Sequence, residues 1–241
     1  AAMALGTDSV PRVDRIVGPG NAYVAEAKIQ LSRVVGIDSP AGPSELLVIA
    51  DDSASPERIA LELIAQAEHD PMAVVVAVML SPSLQREVVA ELARLVAVTP
   101  RRAIVQDALA SHGAVLVAGS LAEAIRFAND FAPEHLLIAT QAPEDVLSRI
   151  RNAGTVVIGD ANSVAFGDYM TGANHVLPTG GAARWCSGLS PLDFVRFTTW
   201  QRVDNSAAAS LAEDVATLAT AEGLPAHSAA VRPTTSTEVA A

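Results

Sequence analysis

Residues 36–70 read GIDSPAGPSELLVIADDSASPERIALELIAQAEHD and combine a tight turn, an apolar run and a capped helix. Residues 41–45 (AGPSE) have turn chemistry, because glycine and proline supply special backbone angles and serine offers a hydroxyl to backbone donors. Residues 46–50 are apolar without alternation, which is typical of a strand covered on both faces. Ser55 and Pro56 then predict the N-cap and first turn of a helix.

Two polar residues, Gln66 and His69, lie near the predicted C-terminal end of this helix. Because they are three positions apart, both side chains project from one helix face. A histidine at a helix end also complements the helix dipole, and a helical zinc pair is normally two histidines four apart. Spacing alone therefore leaves an ordinary surface role and a metal or substrate role both open.

The rest of the chain alternates apolar runs with segments of helical character, which predicts a parallel α/β sheet with helices on both faces. Ligands of such sheets gather where strands end and loops begin. After residue 191 the alternation stops, and the capping box at residues 210–213 (SLAE) predicts a C-terminal helix ending at Gly223. The predicted strands are residues 46–50, 74–80, 114–118, 136–139 and 155–158.

Composition limits the classes of function. The chain of 241 residues is half hydrophobic, and its net charge of −11 argues against a nucleic-acid surface. It has no apolar run long enough for a membrane helix and no basic leader, and its one cysteine suits a reducing compartment. We expect a soluble, cytoplasmic protein. Residues 1–6 look like the end of a helix, so we expect the chain to begin inside a longer fold.

Three loops carry residues that could do chemistry. Residues 18–21 (GPGN) precede a predicted helix at residues 22–31, and a glycine turn capped by Asn21 can hold a phosphate or amide group. Residues 132–135 (APEH) lead into a strand with two titratable side chains, and residues 167–178 form a long loop. Loops on a rigid sheet are favoured places for catalysis, although a structural turn and surface loops remain the alternatives.

The order Ile-Asp-x-x-Ala-Gly-Pro-Ser-Glu, an apolar run and Gln-Ala-Glu-His closely resembles the signature of the histidinol dehydrogenase family. The resemblance extends from residue 1 to about residue 232. It implies a Rossmann-like, aldehyde dehydrogenase-like fold with a small C-terminal helical tail. The implied segments are a remnant of a cofactor-binding domain (1–45), an α/β substrate and zinc domain (46–188), a helical dimerisation segment (189–232) and a disordered tail (233–241).

The resemblance also implies the site residues and a homodimer. In the family, one zinc ion that also holds the substrate is ligated at the positions that match Gln66, His69, Asp168 and His227. Glu222 and His227 would come from the second subunit, so that the C-terminal tail completes its neighbour's site. Asn21 matches a residue at the NAD cofactor. The positions that match residues around L-histidinol are Ser44, Gln66, His69, His135, Asp168, Glu222 and His227.

Glu134 and His135 match the family's catalytic pair, and their chemistry suits the reaction that the resemblance implies. Hydride transfer from an alcohol requires a base for the hydroxyl proton, and a histidine accepts it near neutral pH. Oxidising an aldehyde requires water to add first, and a carboxylate can activate that water. His135 would be the base and Glu134 the water activator as L-histidinol passes through L-histidinal to L-histidine, reducing two NAD.

Two departures from the family pattern bear on activity. The family enzyme has an N-terminal portion that this chain lacks, and part of the cofactor site lies in that portion. Residues 70–73 (DPMA), directly after His69, carry an aspartate where glycine is common and an apolar Met72. A zinc-binding or dimerisation fragment without catalysis is therefore one alternative. A cysteine-dependent, aldehyde dehydrogenase-like enzyme is another, with Cys186 as its nucleophile.

Replacing Cys186 with alanine separates the thiol route from the histidine and carboxylate route. We expect Cys186→Ala to keep its aldehyde oxidation, because a cysteine beside a glycine turn is more often a small packed residue than a nucleophile. The measurement is NADH formation from L-histidinal. Loss of that activity in a folded variant would instead support a covalent thiohemiacetal.

Overall fold

The structure is a computed structural model that describes residues 1–39 and 41–232. The chain divides into two compact units, residues 1–195 and 196–241, and each is described by itself. The predicted disordered tail, residues 233–241, lies outside the described residues, and the four-segment division stays a prediction. Every helix within the described stretches is too short or too polar to cross a lipid bilayer.

Most of the first unit is a regular alternation of strands and helices. Its strands are β1 (Arg15–Ile16), β2 (Gly36–Ile37), β3 (Glu45–Ala50), β4 (Val74–Met79), β5 (Gly113–Val117), β6 (His135–Ala139) and β7 (Thr155–Ile158). Its α-helices are α1 (Ala2–Leu5), α2 (Ala22–Leu31), α3 (Pro56–Ala67), α4 (Pro82–Val96), α5 (Arg102–His112), α6 (Leu121–Phe131), α7 (Pro143–Leu147) and α8 (Val164–Tyr169). Two 3₁₀ turns follow, Ala182–Arg184 and Pro191–Phe194.

The main sheet has five strands in the order β5-β4-β3-β6-β7, and all of its pairings are parallel. The chain first winds outward from β3 to β5, then crosses back to β6 and β7. The order of winding therefore reverses between β3 and β6, as in doubly wound folds. A separate two-stranded parallel sheet joins β1 to β2. The predicted parallel α/β fold is confirmed.

The central strand β3 is fully buried because helices cover both faces of the sheet. Leu46, Val48 and Ala50 pack into one core with residues of α3, α4 and α5. Leu47 and Ile49 point to the other face and pack with residues of α6 and α7. Successive side chains of a strand point to opposite faces, so a strand buried on both sides needs an uninterrupted apolar run. This requirement explains the sequence of residues 46–50.

The described part of the second unit contains two helices, α9 (Asn205–Ala221) and α10 (Pro225–Ala230), after an irregular stretch at residues 196–204. The prediction that a helix begins at Ser210 is wrong. Asp204 caps α9 earlier by accepting the Ala207 N–H, and Ser210 lies inside the helix, where its hydroxyl donates to the Ala207 carbonyl. The predicted end is close to the observed one, since Gly223 has a positive φ of 74° just beyond α9.

Two leucines of α3 provide a matched test of the core. Leu63 is 1% exposed and Leu61 is 47% exposed on the same helix. We expect Leu63→Ala to lower the free energy of unfolding by about 2–5 kcal/mol, since it removes buried methyl groups and leaves a cavity. Leu61→Ala should change it by no more than about 0.5 kcal/mol. Urea denaturation of both variants measures the difference, and equal losses would contradict the burial of this helix face.

Candidate functional site

A pocket of about 470 Å³ lies at the edge of the main sheet where β3 and β6 begin. Pockets of this size suit small organic ligands. Ligands of open α/β sheets usually bind at the carboxyl ends of the strands, whereas this pocket lies at the amino ends. Six of the sequence-predicted site residues line it: Ser44, Gln66, His69, Glu134, His135 and Asp168.

Gln66 and His69 reach this edge because α3 returns the chain from the carboxyl end of β3 to the amino end of β4. Ser55 caps the start of α3 by accepting the Arg58 N–H, as predicted, and the helix ends at Ala67. Gln66 is only 3% exposed, and its Nε2 atom has no hydrogen-bond partner among the described residues. A buried amide without a partner at a pocket wall is ready to contact a ligand.

Asp168 lies in the short helix α8, although the sequence predicted a loop from residue 167 onward. The helix is stabilised at its start by two acceptors, the Ser163 hydroxyl for the Ala165 N–H and the Glu62 carboxylate for the Val164 N–H. Because Glu62 belongs to α3, it ties α8 to the helix that carries Gln66. Asp168 therefore shares one pocket with Gln66 and His69.

The chemistry of Gln66, His69 and Asp168 fits a metal ion, because zinc accepts oxygen and nitrogen ligands of these kinds. The described part of the chain assembles no cluster of three or more histidine, cysteine, aspartate or glutamate side chains. These three residues would therefore need a further ligand to complete a tetrahedral site. The predicted fourth ligand, His227, lies on α10 of the second unit, and Glu222 directly follows α9 there.

Glu134 and His135 are buried side by side where β6 begins. His135 Nδ1 lies 3.1 Å from the backbone oxygen of Glu45 and 3.5 Å from Glu134 Oε2. A carbonyl oxygen can only accept a hydrogen bond, so Nδ1 carries the proton in the neutral ring and Nε2 is left as an acceptor. Nε2 has no hydrogen-bond partner among the described residues and lies 3.7 Å from Asp168 Oδ1. This tautomer suits a base.

The surroundings of these groups shift two pKa values in the same direction. Burial alone would lower the pKa of His135, but the hydrogen bond and negative charge of Glu134, the Glu45 carbonyl and Asp168 together hold that pKa above its ordinary 6.5. Burial raises the pKa of the Glu45 carboxyl above 4.5, and the charge of Glu134 adds to that effect. Perturbed pKa values of this kind cluster at functional sites.

The GPGN loop forms another part of the pocket wall through Pro19 and Gly20. The loop is held by Asp38, whose carboxylate accepts the Gly18 N–H and pairs at 2.7 Å with the buried Lys28. Asn21 caps α2 by accepting the Val24 N–H through Oδ1, as predicted. Its oxygen is thus engaged, and the exposed amide nitrogen is the atom that could contact a cofactor.

The sequence reasoning did not single out two residues that organise this edge of the sheet, Glu45 and Thr179. The Thr179 hydroxyl accepts the Gly42 N–H at 2.5 Å, and Glu45 accepts the Gly180 N–H. Glu45 belongs to the AGPSE motif, but a glutamate beginning a strand looks like an ordinary surface residue. Cys186 does not line the pocket of Glu134 and His135 and instead borders a separate pocket with Asp38.

A buried imidazole and carboxylate at the edge of a doubly wound sheet define an α/β protein with a candidate acid–base site. The chain belongs to the histidinol dehydrogenase family, whose model matches residues 1–234. It is 49% identical over 231 residues to a histidinol dehydrogenase of Methanosarcina mazei, which covers 96% of this chain and 53% of that protein. The resemblance seen in the sequence motifs is confirmed.

Solved structures agree with this family. The crystal structure of histidinol dehydrogenase from Elizabethkingia anophelis superposes with a TM-score of 0.89 at 38% identity, covering 95% of this chain and 53% of that one. An acetylating aldehyde dehydrogenase from Geobacillus thermoglucosidasius, at 12% identity, has a TM-score of 0.51 over 80% of this chain and 58% of its own, and this likeness concerns the fold alone. The chain spans about half the length of the relatives that it matches.

The raised pKa of His135 predicts how stability depends on pH. A folded-state pKa above 6.5 means that the protonated ring contributes stability that is complete below pH 6.5 and lost as the pH rises through the folded pKa. The measured quantity is the difference in free energy of unfolding between the unaltered chain and His135→Gln, in buffer that contains a metal chelator. The stability advantage of the unaltered chain should fall as the pH rises above 6.5. Urea denaturation across this range measures it, and a difference that rises with pH would contradict the geometry.

Proposed function

We propose that this chain carries the zinc and catalytic residues for the NAD-linked oxidation of L-histidinol through L-histidinal to L-histidine. The observation that supports the proposal most is the meeting of Glu134 and His135 with Gln66, His69 and Asp168 in one pocket of a histidinol dehydrogenase family member. The family gives the reaction, and the pocket brings together a base, a second carboxylate and metal-binding groups.

His135 is the proposed base of the first oxidation. Its Nε2 atom has no hydrogen-bond partner among the described residues and can take the proton of the substrate hydroxyl. The hydride leaves from the carbon that bears this hydroxyl. The negative charges of Glu134 and Asp168 stabilise the imidazolium that results. NAD, when bound, would supply the hydride acceptor in both oxidations.

Glu134 is the proposed activator of water in the second oxidation. One of its oxygens, Oε2, accepts the Glu45 N–H at 2.8 Å, which fixes the carboxylate beside the pocket. A fixed carboxylate can take a proton from water as the water adds to the aldehyde carbon. The resulting hydrate, negatively charged because Glu134 has taken the proton, would then lose a hydride to NAD and leave as the carboxylic acid.

Gln66, His69 and Asp168 are the proposed zinc ligands of this unit, with His227 as the fourth. Bound zinc would supply a positive charge that holds and orients the substrate.

We also propose that Ser44 and Glu222 contact L-histidinol and that Asn21 contacts NAD. A homodimer would bring Glu222 and His227 to the neighbouring subunit's pocket. The single cysteine among 241 residues suits a cytoplasmic location.

Zinc content tests the ligand set. We expect about one tightly bound zinc per chain, as in other protein zinc sites. His69→Ala and His227→Ala should each weaken zinc binding by about 100-fold or more, because each removes a direct ligand. Even the loss of a residue that only hydrogen-bonds to a ligand lowers metal affinity by about 10- to 100-fold. His112→Ala is the matched control, since His112 ends α5 and does not line the pocket.

The same preparations test the reaction. NADH formation from L-histidinol that depends on zinc and is lost in His135→Gln would support the whole proposal. Zinc binding with no NADH formation would leave a zinc-binding chain without catalysis. Equal zinc affinity in His112→Ala and His69→Ala would contradict the ligand set.

A further inference from the structure

We infer that Glu45 is a positioning residue that holds Glu134 and His135 in their reactive arrangement, an inference that rests on the function proposed above. Glu45 does not line the pocket, whereas Glu134 and His135 do. It therefore acts through its neighbours and not on the substrate.

Glu45 contacts the pair through both its backbone and its side chain. Its N–H donates to Glu134 Oε2 at 2.8 Å, and its carbonyl oxygen lies 3.1 Å from His135 Nδ1. Its carboxylate accepts two backbone N–H groups, that of Glu134 at 3.3 Å and that of Gly180 at 2.9 Å. The side chain of each glutamate thus accepts the backbone N–H of the other, across the first residues of β3 and β6.

The placement is costly, which argues for a role beyond packing. Glu45 is 8% exposed and Glu134 is 6% exposed, so two carboxyl groups lie buried near each other. Burying a carboxyl group and placing a second one nearby are both unfavourable for the ionised form. An apolar residue at this position would avoid both the burial of charge and the repulsion.

A carboxylate at residue 45 does what an amide cannot. Both of its oxygens accept backbone N–H groups, one from Gly180 and one from Glu134. Glutamine has nearly the same shape but offers only one acceptor, and its NH₂ group would face one of these two N–H donors. Glu45→Gln therefore breaks one of these two hydrogen bonds without changing the size of the side chain. The N–H that loses its acceptor is that of Glu134 or that of Gly180.

The arrangement affects the two half-reactions through different groups. The Glu45 N–H holds Glu134 Oε2, which sets the carboxylate proposed to activate water. The Glu45 carbonyl fixes the proton of His135 on Nδ1, which leaves Nε2 as the acceptor in the pocket. Small displacements of catalytic groups cost about 100-fold in rate, so both steps depend on where residue 45 lies.

The decisive comparison is Glu45→Gln against Asn129→Asp. Asn129 is a buried residue whose amide donates to the Arg149 carbonyl and accepts the Arg151 N–H, and it lies outside the pocket. The change to aspartate keeps the shape but places a carboxylate oxygen against the Arg149 carbonyl oxygen, so that two acceptors face each other. In the same way, Glu45→Gln places an NH₂ group against a backbone N–H, so that two donors face each other. The two variants therefore match in kind, and only one of them touches the Glu134–His135 pair.

With zinc-loaded protein, we expect Glu45→Gln to lower kcat for L-histidinol and for L-histidinal by about 10- to 100-fold. The KM for L-histidinol should change by less than about twofold, because substrate contacts remain. Asn129→Asp should keep kcat within about twofold even where it lowers stability. Unchanged kcat in folded Glu45→Gln, or equal losses in both variants, would overturn the inference.

A second measurement needs no turnover and therefore separates this inference from the proposed reaction. In the unaltered chain, ¹⁵N chemical shifts of the neutral His135 ring should report the tautomer with the proton on Nδ1. Glu45→Gln should change this ring spectrum, because it disturbs the hydrogen bond to the backbone of Glu134, the residue before His135. Identical ring spectra in the two proteins would overturn the inference. An unaltered chain that shows the expected tautomer but forms no NADH would instead refute the proposed function alone.

Discussion

The parallel pairing of β3 with β6 is the constraint on which the site depends. These are the two strands between which the chain reverses its direction of winding, and their register places Leu46 opposite His135. That register puts the residues just before each strand, Ser44 and Glu134, at the same edge. A slip of one position would turn the side chains at the start of one strand to the opposite face of the sheet, so the register of this pair also fixes the site.

The use of the amino edge follows from where the polar residues lie. At the carboxyl edge, the Asp51 carboxylate accepts the N–H groups of Ser53 and Gln141. Burial would raise the pKa of Asp51, but these hydrogen bonds together hold that pKa below its ordinary value. At the amino edge, by contrast, Gln66 Nε2 and His135 Nε2 are buried without partners among the described residues. Thr140 Oγ1, just beyond the carboxyl end of β6, is also buried without a partner in the described stretches, but it lies outside the pocket. Buried polar atoms are nearly always hydrogen-bonded, so the two exceptions that share one pocket mark the place where a ligand can bind.

The sequence predicted local features far better than long-range ones. The fold class and the caps at Asn21 and Ser55 followed from residue patterns, because strands, caps and turns depend on neighbours in sequence. The family motifs, and not spacing, singled out Gln66. The contact of Glu45 with Glu134 spans 89 residues, so no local pattern could indicate it. The start of α9 was missed because a capping box at residue 210 resembled a start inside a longer alanine-rich helix.

The charge of the pocket further limits what it can bind. The described residues that line it include two carboxylates and three histidines but no lysine or arginine. Phosphate groups require cations or free backbone donors, and the side chains of this pocket offer them no fixed positive charge. A metal cation and a protonated amine are both favoured there.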